Sequence, residues 1–417
     1  MTAPPRSPSL FRDRHFRFVF AADSVSKLGV QVSYLVLPVL ALTTLDASAA
    51  EVGVLGALGP AAFLLIGLPA GAWLDRIRRR RVMIAADVVR AVLFASIPLA
   101  WAADALTLAQ LYLVALATGI ATVFFDIAAM SYLPHLVGRD RLLAANSTLH
   151  SVNAVAEISG RGLGGLLLQL ATAPLAIAVN SLTLLWSAVF IGLIRRPEPR
   201  PEPVRRRHLG REMREGLSHV FGHGHLRVIA IESAWANVCL RVIVTMIPIL
   251  FIVELGLPEA WLGGFLAVGG IGVFAGSLAA RGLGARLGHG RALWIVGATC
   301  TPFVLLVPFI DRGAMLWLGL GGWLVATFKV GVDGVLKTSI RQRTTPDRLQ
   351  GRMNGTFRTL ITGALAVGSL AAGLLAEAST VRAALWVGSA GLALGWLLLF
   401  ASPLRTMREL PTLVKAA

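Results

Sequence analysis

Thirteen charged side chains stand inside stretches that are otherwise continuously apolar: Asp23, Lys27, Asp87, Arg90, Asp126, Glu157, Arg161, Glu232, Arg241, Lys329, Asp333, Lys337 and Arg358. A charge at the centre of a bilayer costs about 2.5–3.5 kcal/mol on insertion scales, so such residues pair with one another or line a wet cavity. Asp23/Lys27, Glu157/Arg161, Lys329/Asp333 and Asp333/Lys337 are each four apart, which puts each pair on one helical face. Two chemistries fit. A buried carboxylate can carry a proton, and Glu157 and Asp126, with Asp23 third, are the candidates. A cation at mid-span can hold a polar or anionic solute.

At about 1.5 Å per residue, Lys27, Glu157, Arg161, Arg241 and Lys329 fall near mid-membrane. Asp126, Glu232, Asp333 and Arg358 fall nearer one end. Lys27, Arg161, Trp235, Arg241, Lys329 and Asp333 form the candidate substrate-binding set. Trp235, Trp261, Phe124, Phe125 and Phe328 suit the wall of a pocket for a bulky apolar compound, although any one such aromatic is more often helix packing or an interfacial anchor. The same holds for the pairs: each is also readable as a locally neutralised couple that tolerates burial. The stripe Lys329–Asp333–Lys337 carries two cations to one carboxylate. That surplus calls for an anionic or polar substrate, or for a carboxylate from the other half of the chain.

The elements that must position these residues are apolar helices. Of 417 residues 56% are hydrophobic and 15% charged, with mean hydropathy +0.72. Soluble domains carry roughly 25% charge, so neither disorder nor a soluble enzyme fits. A bilayer crossing takes about 20 apolar residues. Runs such as 111–125 and 384–401 lack the alternation of a membrane barrel. Twelve spans are expected: 18–44, 50–74, 82–103, 107–133, 143–171, 173–194, 228–254, 258–280, 292–310, 314–340, 353–376 and 383–403. The first run is too long for the core of a cleaved leader and reads as a retained span. Cys239 and Cys300 lie in separate apolar runs, which suits neither a disulfide framework nor a metal site.

Cationic residues set the orientation. With the N-terminus in the cytoplasm, thirty of the 39 Lys and Arg fall in inner segments and two, Arg312 and Arg382, in outer loops. That asymmetry places both termini in the cytoplasm and explains the net charge of +17 without nucleic acid. The longest polar stretch, 195–227, opens with four prolines at alternate positions and continues into a possible surface helix over 208–220. It divides the chain into bundles 1–194 and 228–417 around a linker. Asp140-Arg141-Leu142 recurs as Asp347-Arg348-Leu349, Asp126 as Asp333, and Gly67 with Ala70-Gly71 as Gly272 with Ala275-Gly276. Collinear matches some 207 residues apart indicate a duplicated six-helix unit, an arrangement of transporters.

Between spans two and three stands Gly71-x-x-x-Asp75-Arg76-x-Arg78-x-Arg80-Arg81. It resembles the signature loop of the major facilitator superfamily, with Arg78 where the family has glycine. Phe124-Phe125-Asp126, Tyr132-Leu133-Pro134 and Leu142-x-x-Ala145-Asn146 resemble its transmembrane secretion effector branch, which includes siderophore and macrolide exporters. The resemblance implies an all-α integral membrane fold of two six-helix repeats, with helices one, four, seven and ten around a central cavity. It also implies a cytoplasmic gate in which Asp75 meets the start of helix eleven near residues 352–355. Gly71, Arg76, Arg80, Arg81 and Arg358 belong to that gate, and Asp126–Arg358 is a candidate pair across the halves. The fifth helix of related drug antiporters carries Gly-Pro-x-x-Gly-Gly. Here Gly160-Arg161-Gly162-Leu163-Gly164-Gly165 replaces proline by arginine and introduces a buried cation.

No nucleotide loop, metal cluster or catalytic triad pattern is visible, and no cofactor is expected. A membrane-embedded enzyme or a non-transporting receptor fits the repeat and the span charges less well. The expectation is a monomeric transporter of the plasma (inner) membrane, not an enzyme. It would export a small lipophilic or mixed-charge compound by proton antiport and alternating access. A siderophore or lysophospholipid carrier, without obligatory proton coupling, is the alternative.

Overall fold

The computed structural model describes residues 10–74, 77–138, 141–196, 198 and 209–409. Among them the regular structure is helical throughout, because inside a bilayer a helix satisfies its own backbone groups. The first six helices are α1 (Arg14–Thr44), α2 (Ala49–Leu74), α3 (Arg79–Ala102), α4 (Leu108–Val137), α5 (Leu142–Leu170) and α6 (Ala173–Gly192). A short α7 (Leu209–Gly222) occupies the expected surface helix. There follow α8 (Gly224–Pro248), α9 (Glu259–Leu287), α10 (His289–Cys300), α11 (Ala314–Thr344), α12 (Asp347–Ala378), α13 (Val381–Leu394) and α14 (Trp396–Phe400). After Pro248 the chain continues as a π-helix, Ile249–Glu254, and after α10 as a 3-10 helix, Thr301–Phe309.

Among the described residues eleven helical stretches are long and apolar enough to cross a membrane, so this is a multi-pass membrane protein. The twelfth expected span is α5. Its 29 residues suffice in length, but Asn146, Ser147, Thr148, Ser151, Asn153, Glu157 and Arg161 leave it outside that set.

By internal contacts the chain forms two units, Met1–Ala41 with Leu65–Arg205, and Leu42–Leu64 with Arg206–Ala417. The first part of α2 thus groups with the second unit. In unit 1, α3 packs on α4 and α6 around Met83, Tyr132, Leu136 and Ile191. Helices α1 and α5 meet where Gly160 and Gly164, four apart, remove side-chain bulk. A Cβ at Gly160 would lie 2.7 Å from Gln31 Cβ, and one at Gly164 3.1 Å from Leu35 Cδ2. This is the close approach that small residues permit in membranes. Unit 2 has the equivalent seam between α9 and α11, where Gly269, Gly272 and Gly276 back onto Trp323, Thr327 and Phe328. Its core gathers Leu226, Ile229, Leu293, Leu336, Ile340 and Phe357. Helix α7 lies on the start of α12: Glu215 pairs with Arg352, and a Cβ at Gly216 would sit 2.8 Å from the Arg352 carbonyl oxygen. Burial and the neighbouring His223 hold the His219 imidazole below its ordinary range.

Candidate functional site

In unit 2 the α9 seam turns one face of α11 toward α8. On that face Lys329 Nζ lies 2.7 Å from Glu232 Oε1 and 2.5 Å from Asp333 Oδ2. Lys337 Nζ lies 2.7 Å from the same Asp333 oxygen and pairs with Glu232 Oε2. All four side chains are buried. Two cations alternate with two carboxylates, so the surplus positive charge expected on this helix is neutralised. Its missing partner is Glu232 on α8 of the same unit, not a residue of the other half. The division by depth fails here too. Lys329 and Lys337 are about 12 Å apart along the axis at helical rise, yet their long stems converge on the same two carboxylates. Asp333 Oδ1 is buried and has no hydrogen-bond partner among the described residues.

The remaining unit 2 candidates bridge helices. Arg241 donates from Nε to Ser369 Oγ at 2.7 Å and from Nη2 to the Gly56 carbonyl at 2.9 Å, tying α8 to α12 and to the first part of α2. Glycines make room for it: Gly56 and Gly368 both lie against its side chain. Trp235 donates its indole N–H to the Gly391 carbonyl at 2.7 Å, and its ring covers Gly391 and Gly395 on the α13 side. Arg358 stacks over Phe63, with its guanidinium carbon 4.5 Å from the ring centre.

Unit 1 keeps the pairs of its apolar spans on single helices. Lys27 Nζ lies 3.2 Å from Asp23 Oδ2 on α1. Arg161 Nη2 lies 2.8 Å from Glu157 Oε1 on α5, with side-chain exposures of 25% and 41%. The cation expected to be buried in α5 is therefore partly open, because its carboxylate partner lies outward on the same face. Asp126 is half-buried on α4. The sealed pair of this unit is Asp87 with Arg90 on α3. Arg90 also reaches Thr122 Oγ1 at 3.3 Å and sits 4.6 Å over the Phe125 ring, both on α4.

At the other end of α3 lie the loop residues. Arg80 donates from Nε to the Ile191 carbonyl at 3.0 Å and from Nη2 to that of Gly192, a cation on the exposed carbonyls that end α6. Glu198 does the converse for α3: it accepts the Arg79 N–H at 2.7 Å and the Arg80 N–H at 3.2 Å. Trp73, near the end of α2, stacks on Phe124. Gly71 lies in the last turn of α2 and Arg81 in the first turn of α3. Asp75 and Arg76 lie outside the described residues. Asp126 and Arg358 fall in different units.

A sequence model of the Major Facilitator Superfamily matches residues 19–335. The chain belongs to this superfamily. Within it, the chain is similar to the multidrug efflux pump Tap of Mycolicibacterium fortuitum, 27% identical over 92% of both chains. It is also similar to the enterobactin exporter EntS of Shigella dysenteriae, 27% identical over 96% of this chain and 95% of that one. Among solved structures it shares its fold with the nucleoside transporter NupG, with TM-score 0.74, 11% identity and coverage of 93% and 99%. A bacterial homologue of the iron transporter ferroportin gives TM-score 0.74 at 17% identity, covering 94% and 99%.

Two residues of this superfamily member escaped the sequence reading as site residues. Glu232 was visible as a charge in span seven. The unbalanced stripe on span ten was the signal that a carboxylate had to meet it. Glu198 gave no signal, since it stands among prolines and arginines in a stretch read only as linker.

Proposed function

We propose that this chain is a secondary active exporter of a small lipophilic or mixed-charge compound, working by alternating access and driven by proton antiport. It would reside in the plasma membrane with both termini in the cytoplasm. Outward direction is supported by two near-full-length relatives from different organisms, one named a multidrug efflux pump and the other an enterobactin exporter. Proton coupling is supported by one observation above the rest: the Glu157–Arg161 pair is joined on one helix yet partly open. A solute that engages Arg161 competes with Glu157 for the guanidinium, and the released carboxylate is then free to take up a proton. Asp23 with Lys27 is a second pair of the same design, and Asp126 is the third carboxylate of this set.

Arg241 and Trp235 belong to the substrate path through the helices they join. Lys329 and Asp333 belong to it only when their network opens. The enterobactin relative favours a second reading, a siderophore-type cargo moved without obligatory proton coupling. Transport in inside-out vesicles, with and without an imposed pH gradient, separates the two across a panel of antibiotics, siderophores and lipids. The antiport reading expects gradient-dependent accumulation that Glu157→Gln abolishes. Accumulation that ignores the gradient removes it.

A further inference from the structure

A cavity of about 220 Å³ opens where α3 begins and α6 ends, lined by Arg78, Arg80, Arg81, Arg195, Arg196 and Glu198. Five guanidinium groups thus face one carboxylate. Arg80 is committed to the carbonyls of Ile191 and Gly192, and Arg196 to that of Leu136 and to Asp13 at 4.0 Å. Arg78, Arg81 and Arg195 have no ion-pair partner among the described residues. The wall also holds two amides aimed at an oxyanion, the N–H groups of Arg79 and Arg80, and a carboxylate already occupies them.

We propose that this cavity binds a phosphate-bearing anion at the inner membrane face, with Glu198 as an internal ligand that holds part of the site. The inference does not depend on the export reading. Guanidinium groups match phosphate oxygens in pairs, and helix-start amides favour the same anion. Among the described residues Glu198 is the one carboxylate lining the cavity, with Asp13 answering Arg196 from outside it, whereas a phosphate adds charge and several acceptors in a space of this size. Arginine asymmetry along the chain assigns this end to the cytoplasmic headgroup level. Basic pockets between helix ends at that level take anionic lipid headgroups. A phospholipid headgroup and free phosphate share this chemistry and differ in what tethers them.

The test uses the full chain, purified and reconstituted. Melting temperature and lipid retention are compared in phosphatidylcholine alone, in phosphatidylcholine with phosphatidylglycerol, and in phosphatidylcholine with inorganic phosphate. Wild type is expected to be stabilised by phosphatidylglycerol and to retain it selectively. Each arginine near an anionic surface contributes roughly fivefold. The combined change Arg78→Gln, Arg81→Gln and Arg195→Gln therefore lowers retention about a hundredfold. Its melting temperature in phosphatidylcholine stays that of wild type, since these side chains are exposed. Glu198→Gln keeps one acceptor for the helix amides and removes the competing charge, so it tightens retention. An equal shift from inorganic phosphate assigns the site to a soluble ligand, and no shift from it assigns the site to the lipid. A triple variant with undiminished preference overturns the proposal, as does a wild type that responds to neither anion.

Discussion

In unit 1 two partly open acid–base pairs within the spans are drawn from one helix each, Asp23 with Lys27 and Glu157 with Arg161. In unit 2 four charges from two helices close on one another in a buried ring. The difference is one of replaceability. An open pair four residues apart is worth about 0.3–0.5 kcal/mol, so a solute or a proton can dissolve it at little cost. A buried ring is held because every member is needed: losing one leaves a charge without compensation in a low dielectric. Low-cost pairs suit exchange, and the ring suits registration of α11 against α8.

The largest effect expected from this contrast is that of Glu232→Gln. Two buried lysines would then share Asp333, at a cost of about 3–5 kcal/mol, read as a lower melting temperature in detergent. Adding Lys337→Gln restores one-to-one balance and recovers part of the loss. A Glu232→Gln protein as stable as wild type breaks the contrast. Asp87→Asn probes the sealed pair of α3. About 3 kcal/mol is expected, toward the lower end because Arg90 keeps Thr122 and the Phe125 face.

Arg241→Leu removes two interhelix hydrogen bonds and is expected to cost about 1–3 kcal/mol. Arg241→Lys should recover little, since one ammonium does not span Ser369 and Gly56 as a guanidinium does. Glu157→Gln closes the series, with less than about 0.5 kcal/mol in stability. Its expected effect is functional: the transport response to an imposed pH gradient disappears while the folded protein is unchanged. A stability loss there as large as that of Glu232→Gln would erase the distinction between the units.

Much of the fold was legible because bilayer physics writes it plainly. Apolar length, arginine asymmetry and the collinear repeat locate the helices to within a few residues. Even the polar α5 was placed, at 143–171 against Leu142–Leu170, although it is less apolar than the other spans. Candidate charges were legible as a set but not as partners. Four-residue spacing finds couples on one helix, which suffices for Glu157 and Arg161. It is blind to Glu232 with Lys329, because that contact depends on which faces α8 and α11 turn to each other, and the glycines of α9 decide this. Arg241 was legible as a cation in span seven. That it also donates to Ser369 and the Gly56 carbonyl is a use that no spacing rule encodes.

The 3-10 segment Thr301–Phe309 has a consequence for reach. Nine residues in that form rise about 2.0 Å each, against about 1.5 Å in an α-helix. The segment therefore gains roughly 4–5 Å, and His289–Phe309 extends to about 36 Å from only 21 residues. One of the shortest spans of the molecule thus clears a hydrocarbon layer of about 30 Å with length to spare. Rewinding those nine residues would draw its two ends together by the same 4–5 Å and turn one end against the other by roughly 180°, since a 3-10 helix advances about 120° per residue and an α-helix about 100°.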